Sequence, residues 1–331
     1  NQVNNSIQYA EMFIKNGEWF EGSTALTVNH AMLSDWWAPM PSQARFALLN
    51  SDEQRIQKII NNLVAYANMD LLIDIPSFKT LDETTTCWKD GPQGGCDAHF
   101  GQHNGFAVAT MIHVASLLKP YMSEKEISVI EPWLAEGYEK FIEYDAYKGL
   151  GPNKGFYEFG QGGIGVLAYA HWTRDEALLA KEFRFRTNQI RKVLLDDGYI
   201  DNNSFRGVRA YFYHTLGANS ILSWIEAAKL YGYDINRFAP DLKPKLKNLA
   251  EITLLGAVDH AKFVSVGTRG YNFSTEMKDK RVKRHINTPN LPVILRNNYK
   301  IAHQSLMHPR DGISQIDKTA GFNMSCALGT N

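Results

Sequence analysis

Apolar positions recur at helical spacing through most of the first 255 residues. The segment SDEQRIQKIINNLVAYANMDLL (51–72) opens with Ser51 and Gln54 at capping-box spacing and continues with apolar residues three and four apart. NGFAVATMIHVASLLK (104–119) is apolar nearly all round, which predicts a buried helix. SEKEISVIEPWLAEGYEKFIEY (123–144) begins with the box Ser123/Glu126 and is amphipathic. GQGGIGVLAYAHW (160–172) is apolar and Gly-rich, and an amphipathic helix opened by Thr173/Glu176 follows it. GVRAYFYHTLGANSILSWIEAAKLY (207–231) is again mostly apolar.

The alternation says more than any single helix. Buried-type helices start near residues 103, 160 and 207, and a solvent-faced helix follows the first two. Spacings of roughly 47 to 57 residues suggest helical hairpins repeated around an axis. The predicted class is therefore all-α, an (α/α) toroid or barrel with inner apolar and outer amphipathic helices; a plain irregular bundle is the alternative. In a toroid the N-terminal ends of the inner helices line the cavity, where backbone N–H groups favour anions. The texture changes after residue 257. KFVSVGTRGYNFSTE (262–276) has β-branched and aromatic residues with Gly breaks, and is expected to include a few strands. The expected division is a toroid over 1–257 and a C-terminal continuation over 258–331, either last helices or the start of a sheet.

Composition narrows the partners. Thirty-five basic and 35 acidic side chains leave a formal net charge of zero, which disfavours a nucleic-acid coat. No stretch of about 18 apolar residues exists, so no membrane-spanning segment is expected. The basic run 276–284, with Lys278, Lys280, Arg281, Lys283 and Arg284, reads as a solvated surface or as a positive rim drawing in a polyanion. Cys87 and Cys96 sit nine positions apart in a Gly/Pro-rich stretch, where a disulfide would staple a loop and leave Cys326 free; three reduced thiols are the other reading. Asn4-Asn5-Ser6, Asn202-Asn203-Ser204, Asn272-Phe273-Ser274 and Asn323-Met324-Ser325 are formal glycosylation triplets. Together with a start at Asn1, as in a trimmed chain, these features set the expectation of a secreted or periplasmic protein.

GQGGIG (160–165) fits the dinucleotide pattern G-x-G-x-x-G, but no strand precedes it and no acidic residue ends a second strand about 20 residues on. Its glycines are read as room for close helix packing or for a ligand backbone. Asp97, His99 and His103 have helical metal-ligand spacing without a further ligand in sequence, so no metal and no other cofactor is assigned. A serine hydrolase is unsupported, since there is no G-x-S-x-G elbow.

DDGYIDNNSFRGVRAYFYHTLGA (196–218) carries the most chemistry. Arg206, Arg209, Ala210 and Tyr213 lie at i, i+3, i+4 and i+7, which is one face of a helix. On an inner helix that face presents two guanidiniums and a phenol to the cavity. Burying such cations is costly unless an anion meets them, and arginine forks suit a carboxylate. Structural ion pairs around a core tyrosine are the competing account. In GQHNGF (101–106), Gln102, His103 and Asn104 are three consecutive hydrogen-bonding side chains at the predicted start of an apolar helix; the same three can serve simply as its cap. Gln161 opens the next inner helix, preceded by Tyr157 and Glu158.

Together these residues suit β-elimination from a uronic-acid polymer. That reaction removes the C5 proton, α to a carboxylate, and expels the 4-O-linked sugar. Amide, imidazole or guanidinium groups must hold the carboxylate and stabilise the enolate-like dianion. A base takes the proton and an acid serves the leaving oxygen. In mannuronate and glucuronate both lie on one side, so a single tyrosine can do both jobs; guluronate needs a second group, such as a histidine.

At these residues the chain resembles the alginate-lyase superfamily of α/α-toroid polysaccharide lyases, especially families five and thirty-eight. The likeness is strongest over DDGYIDNNSFRGVRAYFYH, where family five has an acidic-Gly-aromatic-aliphatic turn followed without gaps by R-x-x-R-A-x-x-Y-H. It implies Tyr213 as base and acid and Arg206 as a carboxylate-binding arginine, with Arg209 and His214 as close neighbours. The clear likeness covers about 25 residues, and the repeating helix pairs extend it weakly over 50–255. One departure matters: family five has an Asn-Asn-His triplet some 47 to 55 residues before the Arg and Tyr, where this chain reads FYEFGQGG (156–163). Either Gln161 takes part of that role, or Gln102, His103 and Asn104 supply it from the preceding inner helix, as in family thirty-eight; the second is favoured. A rival register makes Tyr157 the base and leaves Arg206 and Arg209 as carboxylate binders. A fainter likeness of TRGYNFS (268–274) to the first strands of toroid-plus-sheet lyases leaves a truncated β domain open.

The resulting expectation is a polysaccharide lyase on β-1,4-linked polyuronate, poly-mannuronate (alginate) first and glucuronan second, acting as a monomer without nucleic-acid or membrane partners. Tyr213 is base and acid, and His103, Gln102, Asn104 and Arg206 neutralise the carboxylate. Arg209, Gln161, Tyr157 and His214 line the groove, and Trp88 stacks on a sugar ring. Two rivals stand beside it: an inverting glycoside hydrolase using carboxylates among Asp97, Glu158 and Asp197, and a non-catalytic glycan-binding helical domain.

Overall fold

The computed structural model describes residues 40–70, 96–143, 146–147, 158–206, 210–267 and 290–306, with the side chains at 42, 96–104, 158, 161, 266 and 267 excepted. Among the described residues helices carry most of the backbone and no strand forms; an isolated antiparallel bridge joins Leu194 to Ile200. The helices are α1 (Met40–Leu49), α2 (Glu53–Asn68), α3 (Cys96–Leu118) and α4 (Glu124–Gly137), which runs on into a π-helical turn, Tyr138–Glu143. A second π-helical segment, Glu158–Ile164, leads into α5 (Gly165–Thr173), and α6 (Glu176–Val193) follows. Then come α7 (Ala210–Leu230), the single turn α8 (Ile235–Phe238), α9 (Lys243–Val258), α10 (His260–Gly267) and α11 (Asn290–Tyr299).

The helix starts show where local pattern suffices and where it does not. At α4 the Ser123/Glu126 box forms as predicted: Ser123 Oγ accepts the Glu126 N–H (3.3 Å) and Glu126 Oε2 accepts the Ser123 N–H (2.7 Å). Those bonds, with one from Gln57, hold the Glu126 carboxyl below its usual range. The other two boxes do not form. Ser51 has φ 53°, in the left-handed region, and the cap passes to Asp52, whose Oδ1 accepts the Arg55 N–H (3.0 Å). Thr173 ends α5 instead of opening α6: its hydroxyl donates back to Tyr169 O (3.0 Å), Arg174 turns left-handed, and Asp175 caps α6 by accepting the Leu178 N–H (2.9 Å). In each case a neighbouring aspartate, a charged acceptor, takes the cap from the hydroxyl. Ser123→Ala is expected to cost about 1 kcal/mol of stability at neutral pH. Because the Glu126 carboxyl is held low in the folded chain, its share of the box is present above the ordinary carboxyl range and lost as pH falls through the folded value. Thermal melts of variant and wild type at pH 7 and pH 3 check both points.

The apolar helices pack as neighbours in chain order. α5 packs against α3 on one side and α6 on another, while the π segment leading into α5 packs against α7. α1, α2 and α4 close around α3, and α9, α10 and α11 around α7. Two large clusters result. One joins Ile60, Leu63, Met111, Ile112 and Trp172, and the other joins Phe159, Leu222, Trp224, Leu249 and Ile294. Each fully buried aliphatic side chain here contributes roughly 1.5–3 kcal/mol relative to exposure. The glycines of GQGGIG serve this packing: a Cβ on Gly163 would lie 2.7 Å from Trp224 Cδ1 and 3.0 Å from Arg186 Nε.

Arg186 and Glu182, four apart on α6, are both fully buried and paired at 2.7 Å. The guanidinium also donates to Gln189 Oε1 (2.5 Å) and to Ala146 O (3.1 Å), and lies 5.2 Å from the Phe159 ring. This cation therefore ties α6 to the start of the π segment. The buried Trp224 indole N–H faces the same Glu182 carboxyl and, with Arg186, favours its charge.

The C-terminal expectation needs correction. Residues 262–267, read as strand-like, lie in α10, where Phe263 and Val264 bury against Tyr199, Ala210 and Tyr211. β-Branched residues in a short amphipathic turn follow the burial on offer, and here that is a helical groove. Residues 268–276 and the basic run 276–284 lie outside the described residues. Leu291, Ile294 and Leu295 of α11 join the same cluster as α7 and α9. No helix among the described residues is long and apolar enough to cross a membrane.

Candidate functional site

Residues 194–206, before α7, form a compact turn rather than a helix. Val193 O accepts the Asp201 N–H (2.7 Å) and Tyr199 O accepts the Leu195 N–H (2.9 Å), closing a loop around Gly198. Gly198 has φ 90°, and a Cβ there would stand 2.4 Å from the Asn248 carbonyl, so both conformation and space demand glycine. A single 3₁₀ turn, Asn203–Phe205, follows and ends at Arg206 with φ −107° and ψ 38°. α7 begins at Ala210.

Arg206 therefore does not share a helical face with Ala210 and Tyr213. Arg206 precedes the helix and Arg209 lies outside the described residues. The structure nonetheless brings Arg206 and Tyr213 together: the guanidinium carbon stands 4.1 Å from the centre of the Tyr213 ring. Both side chains are half-buried. A cation over a ring face at such a distance is worth about 0.5–1 kcal/mol when partly solvated, enough to set a preferred geometry. The Tyr213 ring also packs edge-to-face with Phe212 (centroids 5.1 Å apart) and against the first apolar cluster. Its hydroxyl makes no hydrogen bond among the described residues, so proton exchange with a ligand would break none of these contacts.

His214 is placed otherwise than expected. Instead of lining a groove, it is fully buried, with Nδ1 2.8 Å from Ser204 Oγ and Nε2 3.0 Å from Thr253 Oγ1. Burial pushes its pKa down to about 3, so the ring is neutral. Gln102, His103 and Asn104 lie in the second turn and beyond of α3, which starts at Cys96 rather than near 103; they are not the cap of that helix. Gln161 lies within the π segment rather than at the start of an α-helix. The side chains of these four residues, with those of Cys96, Asp97, His99 and Glu158, lie outside the described residues, as do Cys87, Trp88 and Tyr157 entirely. Among the described residues no group of three or more His, Cys, Asp or Glu is placed to hold a metal ion. Asp197, a candidate hydrolase carboxylate, is exposed and accepts the Tyr199 N–H (3.2 Å) as a turn cap.

Three residues that sequence reasoning passed over belong to this region. Asn203 is buried, and its Nδ2 donates to Tyr213 O (3.1 Å). Ser204 and Thr253 are fully buried beside His214. Asn203 and Ser204 were given no role beyond a glycosylation triplet, whose asparagine, Asn202, is exposed. Two polar residues just before an apolar helix were the available signal. A separate, part-buried pair of bonds near the other end of α7 joins His113 Nδ1 to Tyr231 OH (3.1 Å) and Ser116 Oγ to His171 Nδ1 (2.5 Å).

No family model matches the chain, and no curated protein matches it.

Proposed function

We propose that the chain is a polysaccharide lyase that cleaves β-1,4-linked polyuronate, poly-mannuronate before glucuronan, by β-elimination at Tyr213. The observation that carries this reading is the Arg206 guanidinium 4.1 Å from the Tyr213 ring, with both groups half-buried at the entry to α7. A cation and a phenol held side by side in a partly solvated place match the two needs of the reaction. The arginine meets the uronate carboxylate, so charge developing on the enolate-like intermediate is neutralised where it forms. Deprotonated Tyr213 takes the C5 proton. The C5–H electron pair becomes the C4–C5 double bond, the C4–O4 bond breaks, and the tyrosine returns the proton to O4. His103, Gln102 and Asn104 are assigned to the carboxylate with Arg206, and Arg209, Gln161, Tyr157 and Trp88 to the groove.

The finer architecture taken with this reading is an α/α toroid. The packing of α3 on α5, and of the π segment leading into α5 on α7, with each apolar helix followed by a helix nearer solvent, supports it. Secretion or periplasmic residence and a monomeric state belong to the same proposal.

The test is an ultraviolet assay on poly-mannuronate, poly-guluronate and glucuronan. A lyase makes an unsaturated uronate absorbing near ~235 nm, because the new double bond is conjugated with the carboxylate. Growth of that band on poly-mannuronate is the expected result. Reducing sugar without the band indicates a hydrolase, and binding without turnover a glycan-binding domain; either outcome removes the proposal.

A further inference from the structure

We infer that His214 is a positioning residue of this site: a buried imidazole that clamps the turn carrying Arg206 to the helix carrying Tyr213. The inference rests on the lyase reading for its catalytic consequence, while the clamp itself rests on hydrogen-bond geometry.

The bonds around His214 leave one consistent arrangement. The Thr253 hydroxyl donates its single hydrogen to Leu249 O (2.7 Å), so toward His214 Nε2 it can only accept. His214 therefore carries its proton on Nε2, and Nδ1 is a bare acceptor. Ser204 Oγ donates to that Nδ1 (2.8 Å) while accepting the Ile200 N–H (2.7 Å). Every hydrogen in the chain from Ile200 to Leu249 is used. A second proton on the ring would leave the Ser204 hydroxyl facing two donors with nowhere to send its own hydrogen, in a fully buried place. Phe263 (5.0 Å between centroids), Tyr199 and Tyr211 enclose the ring and keep water out.

The placement of the two partners gives the clamp its meaning. Ser204 lies two residues before Arg206, and His214 lies one residue after Tyr213. Asn203, from the same turn, adds the bond to Tyr213 O. The turn and the helix thus meet through two bonds next to the Arg206–Tyr213 pair in sequence, and Thr253 joins the assembly to α9. Arg206 sits outside α7, so helical periodicity does not set its distance to the phenol; this buried bridge does.

Two amides separate the halves of the bridge. An asparagine at 214 reaches the Nδ1 position and can accept from Ser204, whereas a glutamine reaches toward Nε2 and Thr253. His214→Gln is expected to lower kcat/KM on poly-mannuronate about 10²-fold, the penalty of a misplaced catalytic group. His214→Asn is expected to retain at least ten times the activity of His214→Gln at a similar melting temperature. Equal activity in the two variants, whether at wild-type level or lost in step with melting, overturns the inference. Nitrogen-15 NMR of the wild-type imidazole gives a readout that needs no turnover. It should show a neutral ring protonated on Nε2 from pH 8 to pH 5, with the Nδ1 resonance moving in Ser204→Ala. A cationic ring or a proton on Nδ1 overturns the clamp. Wild-type protein that cleaves no polyuronate yet gives the expected spectrum overturns the lyase reading and leaves the clamp standing.

Discussion

Tyr213→Phe is expected to abolish elimination on poly-mannuronate, lowering kcat by roughly 10²–10⁴-fold, the range over which a positioned general acid–base acts. The substitution deletes one oxygen and keeps the ring. The Arg206 cation, the Phe212 edge contact and the packing on the first apolar cluster all involve that ring and survive. The hydroxyl makes no hydrogen bond among the described residues, so stability should stay within about 0.5 kcal/mol of wild type. Substrate binding through the carboxylate should also persist, leaving KM within a few-fold. A kcat loss with melting and KM preserved is the signature of a proton-transferring group, and the 235 nm assay with a parallel melt reads all three. Undiminished activity would move the base to Tyr157 or His103.

The second large effect concerns stability. Arg186→Met is expected to cost about 3–5 kcal/mol at pH 8, because it strands a buried carboxylate. It also leaves the Ala146 carbonyl without the guanidinium that now donates to it. Burial raises the Glu182 carboxyl to about 7, against the opposing pull of Arg186. In wild type, folded Glu182 keeps its proton between the ordinary carboxyl range and that value while the unfolded chain sheds it. Stability from this group is therefore full below the ordinary range and declines as pH climbs toward 7. Without Arg186 the folded value moves higher and the decline runs further. The deficit of Arg186→Met against wild type should thus be small at pH 5 and largest above pH 7. Adding Glu182→Gln should recover part of the loss at pH 8 by removing the charge, since a neutral amide needs no cation. Urea unfolding of the four chains in this double-mutant cycle, at pH 5 and pH 8, measures both trends.

Much of the fold was legible because it rests on local periodicity. The helical stretches around 104–119, 123–137, 165–193 and 210–230 follow from apolar residues at helical spacing, and the Ser123/Glu126 box needs only neighbours on one turn. The misplaced caps at Ser51 and Thr173 mark where that logic ends. A hydroxyl beside an aspartate offers two starts one or two residues apart, and the left-handed backbone at Ser51 and Arg174 decides between them. Residues 262–267 illustrate the same limit in another form. Their β-branched content suits a strand, yet Phe263 and Val264 meet a pocket of aromatic rings that only a helix presents to them.

The candidate site divides along a similar line. R-x-x-R-A-x-x-Y-H is a pattern of residue types, and it sufficed to nominate Arg206 and Tyr213. Their partnership does not come from the helical spacing that suggested it. Sequence by itself determined a helical succession of apolar and amphipathic segments up to about residue 255, since hydrophobic period depends only on neighbours along the chain. Tertiary structure decided that Arg206 reaches Tyr213 from a turn outside the helix, and that His214 faces inward. His214 meets Ser204 from the turn before α7, and meets Thr253 and Phe263, up to 49 residues away, only when α9 and α10 close on α7.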